Sequence, residues 1–590
     1  MLLERQKTGS RRRAVLLRRW LEGHRFSRAL ACGVALLLVP SMLTGLAADD
    51  YIHWIRAATG FPTGSRLDLF AFYGGSPALA RLEKDFGVLP WFALDGLRIS
   101  FFRPLSSLWH FVDYNVWPHA AWWMHVESAG VYVALVLLAA TLYKRVVSAR
   151  WTASLATLFY AVDPGHGMVG WVALRNGFLA AALGVAALVV HDRWRKDGWR
   201  PGAVLGPALF GASLLGGEAG LGTFAYVLAY AVTLETTASK RGRLLSVGPY
   251  AAVGLAWQIV YRTLGYGAFG SSFYTDPARE PVRFLLALPG RAAALLAGQV
   301  TLFPSDIYVG LSRAAAAALT IATAALLAGI AWLAWPLLRR DATARFFALG
   351  ALLSLPVVCA VFPSLRVLPF VGLGALGFLA QLVAEARIPR VVPAGRLRER
   401  ALRGSAAVIV VLHAIVAPPA FVAASLVPAG IMALTMHVST DIPSSAALAG
   451  RTVIVVNGMA PLAILRFILP LDGTVHGSHG RVLASTLDPV VVRRTAVDTV
   501  ELHSSDLLGD WSATLVRDDA QPLRVGETVS VEGMTARVAS SAANGHPSSV
   551  SFQFDVPLDD PRFLWIAWDG KRFVTMSPPR EGEQVSTGGQ

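Results

Sequence analysis

The chain has 590 residues, 54% of them hydrophobic and 15% charged, with a net charge of +15 and a mean hydropathy of +0.51. That balance excludes an ordinary soluble enzyme and describes a protein that crosses a membrane several times. The positive charge does not indicate nucleic acid, because it sits in short loops between apolar segments.

The N-terminus, residues 1–28, is strongly basic and precedes an apolar run of spanning length, so 29–47 is expected to be an uncleaved first helix. Further spans are expected at 123–143, 151–169, 172–190, 203–216, 219–237, 244–262, 312–338, 344–362, 367–386 and 405–430. That makes about eleven helices in a membrane domain over 29–437. Pro418 and Pro419 should kink the last of them. Basic loops at 143–150, 191–200, 239–243, 339–345 and 387–403, with the N-terminus, are assigned to the cytoplasm by the positive-inside rule. The alternation closes only if 283–303, which carries Arg283, Pro289, Arg291 and Gln299, does not cross. The long first loop 48–122, the turn "DPGHG", "GGE", the loop 263–282 and "PSLR" then share the outer face. From 438 to 578 the pattern changes to short alternating runs broken by Gly, Asn and Asp. This reads as a small all-β sandwich or barrel outside the membrane. Residues 579–590 read as a disordered tail. The cysteines Cys32 and Cys359 both lie in apolar runs and provide no disulfide framework.

This topology gathers Asp49, Asp50, His53, Arg103, Asp113, His125, Asp163, His166, Arg175, Glu218 and Arg366 on one side. Ionisable groups beside lipid are costly and mark a functional site by default. Arginines suit phosphate oxygens, and a carboxylate suits a base that deprotonates a hydroxyl. The histidines in "TVHGSHG", 474–480, with His503, lack the number of ligands that a metal centre needs. No phosphate-binding loop, nucleophile elbow or dinucleotide fingerprint is present.

The order "ADDYIHW", "FRPLSSLWHFVDYNVWPHAAWWMHV" and "LFYAVDPGHGMVGWVALRNGFLAA" resembles the membrane region of the tetratricopeptide-repeat O-mannosyltransferase-like proteins, which belong to the GT-C glycosyltransferases. The resemblance covers roughly residues 45–240 and, more faintly, 360–376. It matches Asp49 and Asp50 to the acidic pair, Arg103 to an Arg-Pro-Leu arginine, and His166, Trp171 and Arg175 to a His…Trp…Arg run. Glu218 matches the glutamate of Ser-Lys-Glu, and Arg366 a late arginine. The chain departs from the pattern at Asp163, Gly177 and Gly217, which stand where the family has His, Asp and Lys. It also has one residue fewer between His166 and Trp171, and the β region in place of the repeats.

The resemblance implies a membrane glycosyltransferase that takes a sugar from a polyprenyl phosphate. The acceptor would be a hydroxyl on a protein, lipid or polymer, at the outer face of a bacterial-type inner membrane. Asp49 or Asp50 would act as base in an inverting displacement. Arg103, His166, Arg175 and Arg366 would hold the departing phosphate, and His53, Asp113, His125, Asp163 and Glu218 would line the site. No cofactor is required by this scheme, and no metal ligands are assigned, although a divalent ion such as Mg or Mn is compatible with it. The competing expectation is a catalytically inactive membrane anchor that presents the β region as a binding module.

Overall fold

A computed structural model describes residues 23–235, 239–388, 396–440, 442, 448, 450–469 and 480–588. The basic residues 1–22, residues 389–395 of the basic loop 387–403 and the histidines of 474–479 lie outside the described residues. Each of the eleven expected spans is occupied by a helix. Among the described residues seven helices are long and apolar enough to cross a membrane: Arg25–Leu43, Ala121–Val146, Val172–Asp197, Lys240–Thr263, Pro281–Thr301, Arg313–Arg340 and Arg396–Ser425. Gly202–Gly216, Ala342–Val358 and Pro369–Glu385 are shorter and apolar. The segments expected at 151–169 and 219–237 contain only Arg150–Ala161 and Leu221–Thr233, of 12 and 13 residues. At about 1.5 Å per residue these two are too short to span the hydrocarbon alone. They lie inside the bundle, where Phe159, Tyr160 and Tyr226 are fully buried. Tyr143 and Tyr226 donate to the carbonyls of Leu373 and Phe370 at 2.6 and 2.7 Å. These bonds satisfy hydroxyls that apolar surroundings would otherwise penalise.

Ion pairs join helix ends at one face. Arg145 meets Asp192 and Asp197, Arg195 meets Glu235, and Arg340 meets Glu385. The charged loops therefore share one end of the bundle, as the alternation requires, and the candidate site lies at the other. Pro281–Thr301 is long enough to cross, yet its polar residues bond along its length to that second face. Arg283 donates to Asp518 at 2.6 Å, Arg291 to the Cys359 carbonyl at 2.9 Å, and Gln299 to Asp163 at 2.7 Å. Cys359 and Asp163 each follow a helix that starts at the charged end, so this helix runs along the site face. The Pro418–Pro419 segment lies in the helix Ala417–Ser425, preceded by a π-turn at Val411–Val416. A separate apolar helix follows at Val427–His437.

The first loop is built of helices at Asp49–Thr59, Pro77–Phe86 and Pro104–Val116. Its strands Ala71–Gly74 and Arg98–Ser100 pair antiparallel, and the sheet is extended by Gly267–Phe269 from the loop after Lys240–Thr263. The C-terminal region has two sheets. One is antiparallel, in the order Gln584–Ser586, Val491–Ala496, Thr499–His503, Pro547–Phe554, Met534–Ser541, Thr528–Val531. The other is mixed: Thr452–Val455 pairs in parallel with both Phe563–Trp568 and Gly480–Val482.

Three expectations are corrected here. The region is not purely β, since a helix at Ala460–Ala463 supplies a crossover between parallel strands. The segment read as a disordered tail contains a strand: Gln584–Ser586 pairs with Val491–Arg493, because the edge of that sheet offers unpaired backbone groups. Nor is the region a separate module. Trp91 donates to the Leu483 carbonyl at 2.9 Å, Arg481 to the Asp85 carbonyl at 2.9 Å, and the Glu532 N–H to Asp85 at 2.7 Å. The apolar side chains of the first loop and of both sheets form one continuous core.

Candidate active site

The acidic pair opens the Asp49–Thr59 helix, and the helical period separates its two members. Asp49, Ile52 and Arg56 fall on one face, Asp50, His53 and Ala57 on another. Asp50 is buried. Its carboxylate accepts from the Ala173 N–H at 2.7 Å and from the Ala47 N–H at 2.9 Å. Burial pushes Asp50 up to about 7 against these two bonds, which favour the carboxylate, while the charge of Asp49 adds to the rise. Asp50 thus clamps the helix start to the segment before Arg175, and lines neither of the two cavities that meet at Asp49.

Asp49 lies where two cavities meet. One, of about 420 Å³, is lined by Asp49, His53, Arg103, Glu218 and Arg366. Its remaining wall comes from the first loop at Phe70 and Phe101, from the loop around Tyr274 and Asp276, and from the helices around Trp257 and Val357. The other, of about 640 Å³, lies between the first loop and the C-terminal region. Asp49, Phe72 and Tyr274 line both. Burial raises the Asp49 carboxyl above the usual aspartate range, opposed by the positive charge of Arg366.

Four of the charged side chains of the smaller cavity are arranged in two pairs, and among the described residues Asp49 and Arg366 are not. Arg103 is bound to Glu218 at 2.7 Å and stacks over Phe101. Arg262 grips Asp276 with both nitrogens, at 2.5 and 2.6 Å. Arg366 stacks on Phe362, shares the cavity wall with Tyr274 and, among the described residues, makes no ion pair. It is the cation best placed to accept an anionic ligand. Burial, with His110, Arg56 and Arg103 nearby, holds His53 well below its ordinary value, so it is a neutral wall residue.

The other expected site residues do not reach this cavity. Arg175 is fully buried and its guanidinium is committed: to Asp113 at 2.7 Å, Glu127 at 3.1 Å, Ser128 at 3.0 Å and the Met124 carbonyl at 2.7 Å. Its neighbours Leu174 and Asn176 line the cavity, but Arg175 points into the bundle. Asp113 is the partner of that arginine. His125 bonds to the Gly45 carbonyl at 2.9 Å. His166 is enclosed by Tyr132, Tyr160 and Phe178 and bonds to the Tyr132 hydroxyl at 3.1 Å. Asp163 caps its own turn at Gly165 and accepts from Gln299. The turn still serves the site. A Cβ on Gly165 would stand 2.3 Å from the Leu365 carbonyl, so only glycine lets the segment carrying Arg366 approach.

Tyr274, Arg262 and Asp276 are not among the expected site residues, although "YTDPAR" lies in a loop assigned to the same face as the acidic pair. Arg56 and Glu83, which line the larger cavity, are not among them either. The seven-residue spacing from Asp49 to Arg56 would have signalled the first of these had a helix been expected there. Among the described residues no group of three or more His, Cys, Asp or Glu side chains could hold a metal ion.

No protein-family profile matches the chain, and no curated protein matches it significantly. Among solved structures it is similar to the archaeal oligosaccharyltransferase AglB from Archaeoglobus fulgidus in complex with an inhibitory peptide and a dolichol-phosphate. Identity is 13%, over 72% of this chain and 62% of that one, with a TM-score of 0.34. The apo form of the Archaeoglobus fulgidus oligosaccharyltransferase gives 13% identity over 73% and 62%, at 0.36. ArnT from Cupriavidus metallidurans, bound to undecaprenyl phosphate, gives 15% identity over 77% and 88%, at 0.36. The chain spans 62% of the length of the oligosaccharyltransferase chains it matches. At these scores the likeness transfers no residue roles.

Proposed function

We propose that the protein is a GT-C-type membrane glycosyltransferase that moves a sugar from a polyprenyl-phosphate donor to a hydroxyl acceptor at the membrane face. The observation that carries this reading is the placement of Asp49 between two cavities, opposite an arginine with no carboxylate partner among the described residues. In the smaller cavity Arg366, supported by Arg103, receives the donor phosphate, and the lipid tail leaves between the membrane helices. In the step as proposed, the acceptor oxygen attacks the anomeric carbon and forms the new C–O bond. The bond from that carbon to the phosphate oxygen breaks, and its electron pair leaves with the lipid phosphate. The acceptor proton passes to Asp49, and the configuration inverts. Arg366 faces the charge that grows on the leaving group, where a preorganised cation contributes most.

The test is reconstituted protein incubated with a panel of radiolabelled polyprenyl-phosphate sugars, wild type beside Asp49→Asn. Donor consumption, including slow transfer to water, that disappears in the variant supports the reading. No turnover of any donor by folded protein would overturn it in favour of an inactive anchor.

A further inference from the structure

The larger cavity differs in chemistry from the smaller one. Its walls are Ile52 and Ile55 from the first loop, Ile431 from the helix Val427–His437, and Ile464, Leu465 and Leu469 from the C-terminal region. At about 640 Å³ it falls within the range of small-molecule sites. Its charged groups are few and grouped on the first loop: Asp49 at the junction, and Glu83 with Arg56, 3.8 Å apart.

We propose that this cavity holds the hydrocarbon chain of a membrane amphiphile whose hydroxyl is the sugar acceptor. The inference rests on the transferase reading and names its acceptor class. Three observations favour a lipid over a peptide or a glycan. A peptide in an extended site needs a row of backbone donors and acceptors to pair with, and these walls present branched aliphatic side chains instead. A glycan needs many polar partners, and the polar side chains here are few beside the apolar ones. The third is access. Ile431 belongs to the apolar helix that directly follows the last long membrane helix, and Val427, Leu434 and Met436 on the same helix are exposed. In the proposed arrangement a chain passes along this helix from the bilayer into the cavity, the cheapest route for apolar surface. The hydroxyl end then lies at Asp49, and Glu83 with Arg56 offers a second polar contact to the headgroup.

The probe is hexadecanol carrying a mid-chain diazirine, added to full-length protein in phosphatidylcholine nanodiscs and irradiated, with labelled peptides mapped by mass spectrometry. Labels on the peptides holding Ile431 and Leu465, lost on adding plain hexadecanol, are expected. Leu465→Trp, which fills the cavity, should lose them too. Ile55→Phe is the second variant should the first not fold. Labels confined to lipid-facing residues such as Leu36 and Leu43, or untouched by competitor, overturn the inference. Displacement by a polyprenyl phosphate but not by hexadecanol also overturns it, assigning the cavity to the donor tail. Donor turnover is followed in parallel. Turnover without cavity labelling refutes the lipid acceptor and leaves the transferase reading standing. Labelling without turnover of any donor supports the lipid site and refutes the transferase.

Discussion

Arg175→Gln separates two roles for the residue that most resembles a phosphate ligand in the sequence. In the structure Arg175 is the centre of a buried network. It binds Asp113, whose side chain is fully buried, and Glu127, Ser128 and the Met124 carbonyl, and it stacks on Trp109 at 5.2 Å. Removing one member of a buried ion pair costs about 3–5 kcal/mol, because the other charge is left uncompensated. Loss of the stacking contributes about 1 kcal/mol more. Against the roughly 5–15 kcal/mol that holds a typical domain together, this is a large fraction. The variant should therefore show a markedly lower melting temperature in detergent, followed by heating and size-exclusion fluorescence. Arg175→Gln with Asp113→Asn removes both charges and should recover a substantial part of the loss. An Arg175→Gln protein that melts like wild type and differs only in a raised KM for the donor would refute the structural assignment and restore Arg175 to the phosphate site.

Asp49→Asn should abolish transfer, by about two orders of magnitude or more, without changing the melting temperature. Asp50→Asn should do the reverse and lower stability by about 1–3 kcal/mol, since one amide group then faces a backbone N–H it cannot accept from; denaturant titration reads this. The acid limb of kcat/KM should lie above the ordinary aspartate range, because burial raises Asp49 and only its carboxylate is a base. Arg366→Gln should move that limb to still higher pH, since the lowering charge is gone. Burial lifts Glu83 from 4.5 to about 8 against Arg56. Its contribution to stability is present below 4.5 and lost as pH rises through 8, so Glu83→Gln should flatten the decline of melting temperature over that window. Gly87 has φ of +91° and its absent Cβ would stand 2.2 Å from the Gly480 carbonyl. Gly87→Ala should loosen the C-terminal region from the first loop, seen as new protease cleavage between them.

The membrane architecture was legible in the sequence because apolar length and basic loops are local properties, and the bilayer imposes the same rule on each segment. A helix stands at each of the eleven expected positions, although Arg150–Ala161 and Leu221–Thr233 are too short to span alone. The change to β structure was also local, written in alternation and turn residues. What the sequence could not determine was which polar groups face a cavity and which face one another. Asp49 and Asp50 are adjacent and chemically identical, and only the direction of one helix assigns the first to the cavities and the second to two backbone N–H groups. Arg175 and Arg366 both match a phosphate-binding pattern, but Asp113, 62 residues away in the chain, neutralises one and leaves the other available. The role of a charge depends on the nearest opposite charge, and that distance exists only after the helices have packed.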